Sequence, residues 1–295
     1  MNETKQFVLT HIQNLNVWRR GDERAPHKPL LMLLALARIA QGRERLSSFS
    51  DLEEPLTHLL KDFGPPRKSA HPEYPFWRLQ SDKLWDVPNS EALVRRKGHS
   101  DPLKSELRER HIQGGFPKQL YEVFRRDRRF LQQVASVLLE AHFPTSLHED
   151  ILNEIGLSLT TNSIRRRDPQ FRYEVIRAYE HRCTICGFDL KVGESELALE
   201  AAHIKWYQAG GPDEIPNGLA LCAIHHRALD RGAIGLNRNL TILVSSELHG
   251  QNWIAEWFES FKGKMVRLPA RSEWRPNPEY IKRHTEQVFR KPAKE

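Results

Sequence analysis

Cysteine is scarce in this chain: three in 295 residues, Cys183, Cys186 and Cys222, an odd number gathered in one stretch. That excludes a conventional disulfide framework and points to metal, because histidines stand close by in the sequence. Long apolar runs are missing as well. The longest, residues 30–40, is too short to cross a bilayer and contains Arg38. The opening residues, MNETKQ, lack the basic-then-apolar layout of a secretory leader, so the expectation is a cytoplasmic protein with no membrane contact. No internal repeat or low-complexity tract is visible, which argues against a solenoid or a solvated tail.

What the chain has in excess is positive charge, 45 Lys and Arg against 38 Asp and Glu, a net +7. The excess is spread over both halves, as expected of two modules that face one polyanion. A 39% hydrophobic fraction in 295 residues suffices for two ordinary domains, each with its own core.

Pro29 followed by LLMLLALARIAQG predicts a helix with proline near its start and Gly42 near its end. An amphipathic second helix is expected from Phe49 to Leu60. The prolines of FGPPRKSAHPEYPFWRL predict an ordered loop running into a short strand. Residues 84–87 read as a further strand, and Lys118 to His142 as one continuous helix. Aromatics vanish between Phe143 and Ser163, where the interdomain connection is placed. Asp168-Pro169 then reads as an N-cap and first helical residue, with Phe171, Val175 and Tyr179 forming one apolar face.

Cys183 and Cys186 are two residues apart in CTIC, and Cys222 and His225 repeat that gap in LCAIHH. Two such knuckles supply the four soft or borderline ligands of a tetrahedral zinc site. Between them, Leu197 to Ile204 alternates as a strand, and Asn217-Gly218 is a turn signal.

Within this two-knuckle frame, His203, Asn217 and His226 appear in order, and the stretch from Phe171 to Leu236 resembles the HNH, or ββα-metal, nucleases. The resemblance implies phosphodiester hydrolysis, with His203 as general base, Asn217 fixing the loop and orienting the His203 ring, and His226 holding a catalytic Mg2+ or Mn2+. It also implies that His225 joins Cys183, Cys186 and Cys222 on the structural zinc. One position departs from the family pattern. The residue before the base histidine is commonly a metal ligand, and here it is Ala202, so Glu200 or Asp230 is expected to help hold the ion.

RAPHKPLL (24–31) and FGPPRKSAHPEYPFWRL (63–79) carry a second resemblance, covering about residues 7–145, to the sulfur-binding domain of McrA-like type IV restriction endonucleases, in which such a domain is fused to an HNH module. It implies double-stranded, phosphorothioated DNA as the partner. Sulfur is larger, softer and less hydrated than phosphate oxygen, so an apolar cup favours it. Tyr74 and Pro75 match the cup, Phe76 and Trp77 would shape it, and Arg24, His27 and Lys28 would hold surrounding phosphates. Arg78 stands where relatives place a small residue. Arg95 and Arg96 are further phosphate or base-edge candidates by charge. On the residues alone, YPFW reads first as core, and Arg125–Arg129 as a solvated helix face.

The fold expected is α+β. A mixed helical and short-strand DNA-reading domain spans 1–147, a linker 148–164, and a zinc-stapled ββα-metal domain 165–295. The function expected is a modification-dependent restriction endonuclease, bacterial and cytoplasmic, at the nucleoid where its substrate lies. Two alternatives stand beside it: an HNH endonuclease reading methylated or unmodified DNA, and a non-catalytic zinc protein that binds DNA. One HNH site cuts one strand, so double-strand cutting calls for a homodimer or two binding events.

Overall fold

The computed structural model describes residues 3–13, 15, 17–20, 23–91, 93–95, 101–159 and 169–294. The chain divides into two units, Met1–Ile164 and Arg165–Glu295. No helix among the described residues is long and apolar enough to cross a membrane.

The first unit contains α1 (Glu3–Gln13), the hairpin β1 (Trp18–Arg20) and β2 (Glu23–Ala25), and α2 (His27–Ala40). It continues with β3 (Ser47–Ser48), α3 (Phe49–Phe63), α4 (Glu73–Arg78), α5 (Lys104–Glu109) and β4 (Gln113–Gly114), then α6 (Lys118–Arg126), α7 (Arg128–His142) and α8 (His148–Ile155). Its centre is α2, which is apolar almost all round and buried from Pro29 to Ala37, as such a helix must be. Pro29 lies in its first turn, where no intrahelical partner awaits its missing N–H. Helix α3 begins at Ser48, whose hydroxyl accepts from the Asp51 amide. Phe49, Phe76, Trp85, Phe116, Phe124 and Phe130 run through the core as a chain of ring contacts with centroids 5.1–6.0 Å apart.

Four sequence expectations for this region change. The YPFW stretch is helical rather than a loop and strand: α4 carries Pro72 at its N-cap and Pro75 in its first turn, and a 3-10 turn continues it to Asp82. Prolines there remove only amides that an α-helix leaves unpaired. Residues 84–87 form no strand, only an isolated bridge between Asp86 and Gly115. The helix expected over 118–142 is two. Asp127 leaves helical geometry and caps α7 by accepting from the Phe130 amide. The stretch expected as a linker from residue 148 begins with α8, whose Ile151 and Ile155 are buried in the first unit. Its remainder from 160, with the Asp168 cap, lies outside the described residues.

The second unit has α9 (Pro169–Ala178), a short ribbon of β5 (Lys191–Val192) and β6 (Ser195–Glu196), the ribbon of β7 (Leu199–His203) and β8 (Gly218–Cys222), and α10 (Ala223–Asp230). After these come β9 (Ile234–Leu236) paired with β10 (Ile242–Val244), α11 (Ile254–Trp257) and α12 (Pro278–Gln287). The β7–β8 ribbon is antiparallel, with Leu199 opposite Cys222 and His203 opposite Gly218. The architecture is α+β, with β7, β8 and α10 as its ββα core. Gly218 is extended rather than a turn residue. Its missing side chain lets α9 close on the ribbon, since a Cβ there would fall 2.3 Å from Val175 Cγ2.

Candidate active site and nucleic-acid interface

The chain folds Cys183, Cys186, Cys222 and His225 together, one ligand atom from each lying within 4.8 Å of the others. The first knuckle closes where Gly187, at φ +76°, donates its amide to the Cys183 carbonyl. The second spans the end of β8 and the first turn of α10. Cys186 and Cys222 sulfurs are 4.0 Å apart, close to the edge of a tetrahedron of metal–sulfur bonds. His225 Nε2 donates to the Trp257 carbonyl at 2.8 Å, so its lone pair lies on Nδ1, 3.1 Å from the Cys222 sulfur. Trp257, Phe258 and Phe261 surround that ring. Hydrogen bonds from Cys186 and Cys222 hold Cys183 as a thiolate, and its charge then opposes ionisation of Cys222. Three thiolates in this space need a cation, and a donor set of three sulfurs and one imidazole nitrogen fits a divalent metal.

His203 ends β7, buried, with its ring stacked 4.1 Å from Phe171 of α9. Its Nε2 lies 2.7 Å from Asp213 Oδ1. A carboxylate only accepts, so Nε2 carries the proton and the neutral ring keeps its lone pair on Nδ1. Asn217 is fully buried and spends its amide on the intervening loop. Oδ1 accepts from the Lys205 N–H, while Nδ2 donates to the Lys205 and Pro212 carbonyls. Asn217 therefore fixes the loop as expected, but Asp213 and Phe171, rather than its amide, orient the His203 ring. Gly211 is required in this loop, because a Cβ would meet the Lys205 carbonyl at 1.8 Å.

His226, buried on α10, has a carboxylate at each ring nitrogen, Glu200 at 2.6 Å from Nδ1 and Asp230 at 3.1 Å from Nε2. Burial alone would lower its pKa. The Asp230 and Glu200 charges outweigh that and push it up to about 9. Strand alternation sends Glu200 from the opposite face of β7 to His203, so the two imidazoles sit in separate networks. The loop after His203 joins them, since the Trp206 indole donates to Asp230 at 2.8 Å. Ala202 is wholly buried, and both acidic residues nearby stand at His226 instead. Nitrogen and carboxylate donors in this arrangement suit a hard or borderline divalent ion. Asp213, Trp206 and Phe171 were invisible to motif reading. The nearest signal was the GGPDE run ahead of Asn217.

In the first unit the candidate residues separate into groups. Tyr74 is half-buried, its ring stacked on His71 at 4.7 Å and faced by the Arg78 guanidinium at 4.4 Å. Arg78 is bidentate to Asp101, at 2.9 and 2.6 Å. Trp77, also half-buried, carries Arg95 over its ring at 4.4 Å. Pro75 and Phe76 turn inward, and Phe76 belongs to the aromatic core. Burial, with Arg67, His71 and Arg78 nearby, lowers the His27 pKa to about 4, so it is neutral at ordinary pH and not a phosphate-neutralising cation. Lys28 is paired with Asp82, both largely buried, and its charge is already compensated. Arg24 lies on β2 opposite Arg19. Arg96 is outside the described residues. Arg67, His71 and Asp101 are the neighbours that sequence reasoning missed.

Comparison with known proteins returns two family models. Residues 5–160 match the ScoMcrA-like DNA sulfur-binding domain, and residues 183–237 match HNH endonuclease. A search of curated proteins returns no match. Among solved structures, the sulfur-binding domain of ScoMcrA complexed with phosphorothioated DNA is 24% identical, with TM-score 0.45, covering 52% of this chain and 99% of that one. The corresponding SprMcrA domain complexed with phosphorothioated DNA is 22% identical, with TM-score 0.46 and coverages of 53% and 98%. The structure of the type IV phosphorothioation-dependent restriction endonuclease ScoMcrA is 21% identical at TM-score 0.44, covering 57% of this chain but only 36% of that one.

Proposed function

The chain belongs to the family of ScoMcrA-like DNA sulfur-binding domains, and from that premise we propose that it is a modification-dependent restriction endonuclease. Its first unit reads phosphorothioated DNA and its second hydrolyses a phosphodiester. The observation that carries the reading is the union, in one chain, of that family's domain with an HNH module whose base histidine already has a carboxylate partner.

His203 takes the proton of the attacking water on Nδ1, and Asp213 stabilises the imidazolium as it forms. Asn217 keeps loop 205–212 rigid, so that the ring and Trp206 hold their places. His226, with Glu200 and Asp230, would hold a Mg2+ or Mn2+ ion. Such an ion, when bound, offsets charge developing on the scissile phosphate. Cys183, Cys186, Cys222 and His225 would hold a structural zinc. Cutting both strands requires a second copy or a second encounter.

His226 must lose a proton before it ligates a cation. Affinity for Mn2+ therefore rises about tenfold for each pH unit up to about pH 9, then levels off. A titration of Mn2+ binding at several pH values checks this, and a flat profile would show that His226 is not a ligand.

In the first unit, the exposed parts of Tyr74 and Trp77, with Arg78 and Arg95 over their rings, offer apolar surface edged by guanidinium. That combination favours a poorly hydrated sulfur on an anionic backbone. Tyr74→Ala is expected to cost roughly tenfold in affinity for a phosphorothioated duplex and little for its plain twin. Gel-shift titration of both duplexes tests the assignment. A variant that keeps the wild-type preference removes Tyr74 from the cup.

A further inference from the structure

Behind the loop that carries Asp213 and Asn217 lies a groove of about 450 Å³ that the nuclease chemistry above does not use. Pro216, the residue before Asn217, forms one wall, and Asn277 and Pro278 at the start of α12 form the other. The two walls are tied together: the Asn277 amide donates to the Pro216 carbonyl at 3.0 Å, and the Tyr280 hydroxyl to Glu214 at 2.8 Å. Leu240 and Ile281 also line it. Arg238 and Arg275 face into the same space. Both are exposed, and neither guanidinium has a hydrogen-bond or ion-pair partner among the described residues.

That pattern is unusual in this chain. Arg45, Arg78, Arg108, Arg172 and Arg290 all hold carboxylates, whereas these two are left uncompensated in a concavity. Glu273 also lines the groove, but it stands 3.9 Å from Arg271, which offsets its charge. A guanidinium pair above apolar walls suits a sugar–phosphate segment, with phosphate oxygens on the arginines and deoxyribose against leucine and proline.

We infer that this groove is a phosphate-binding subsite for the DNA backbone flanking the scissile bond, with Arg238 and Arg275 as its two hands. The inference rests on the endonuclease reading for its ligand. The groove shares its wall with the segment from Asp213 to Asn217, so a backbone seated there also bears on the loop that positions His203. Base contacts are absent from the lining, and the subsite contributes affinity and register without sequence preference.

The test uses the full chain and a phosphorothioated duplex long enough to reach both units. Arg238→Ala/Arg275→Ala is expected to weaken binding roughly tenfold and to reduce the slope of log Kd against log salt by about two, near 0.9 for each phosphate released. Cleavage at saturating DNA stays within about twofold of wild type. Arg238→Lys/Arg275→Lys retains most of the slope, which separates lost charge from a folding defect. An unchanged slope overturns the subsite. So does an equal loss in Lys191→Ala/Lys264→Ala, a pair of exposed lysines that do not line the groove. If wild type cuts no DNA at all, the endonuclease reading fails, and the salt slope still decides whether the arginines grip a backbone.

Discussion

His203→Ala lowers strand cleavage by about 10²–10⁴-fold while leaving DNA affinity within about twofold of wild type. The size follows from what the ring does. It is the one buried imidazole in the ββα core whose tautomer a carboxylate fixes for proton abstraction, with Asp213 taking the Nε2 hydrogen. Removing it leaves Asn217 and its loop bonds in place, because the three side-chain bonds of Asn217 go to Lys205 and Pro212 backbone atoms. The fold of the loop therefore survives and binding is spared. Nicking of a labelled duplex, with gel shifts run in parallel, separates the two quantities. Retained cleavage would place the base elsewhere, and loss of binding along with cleavage would make His203 a structural residue.

The second large effect concerns the four-ligand cluster. Chelation of its metal, or Cys222→Ser, unfolds the second unit and leaves the first folded and able to bind DNA. A structural zinc contributes on the order of 10 kcal/mol, comparable to the entire stability of a small domain. Here the cluster ties the turn after α9 to the junction of β8 and α10, and His225 bonds on to Trp257. Losing it releases both the ribbon that carries His203 and the helix that carries His226. The first unit has its own core around α2 and is spared. Thermal melts with and without chelator, alongside a zinc assay, read this out: two transitions with metal and only the first unit's without it. A second unit that melts unchanged after its metal is removed would make the cysteines ordinary core thiols.

The metal frame and the ordered trio of histidine, asparagine and histidine were legible because ligand spacing is local and chemically specific. Helices α2, α3 and α9 were legible for the same reason, their apolar periodicity or caps lying within a few residues. Legibility ended where partners are distant. Nothing near Lys28 announces that Asp82, 54 residues on, neutralises it, and nothing near His27 announces the cations that keep it uncharged. Prolines misled over residues 72–78, since a proline at a helix start and one that breaks a helix look alike without a register. Asn217-Gly218 looked like a turn, yet the glycine is there to admit Val175. The partner of His203 was hidden by the loop that folds it back.

These observations converge on a division of labour in which sulfur recognition licenses a metal-assisted cut. Its most direct test offers the wild-type chain two duplexes that differ by one stereodefined sulfur, with Mg2+ or Mn2+ present, and counts breaks in each. Breaks confined to the sulfur-bearing duplex are the predicted outcome. Equal cutting of the pair, or no cutting of either, would contradict it.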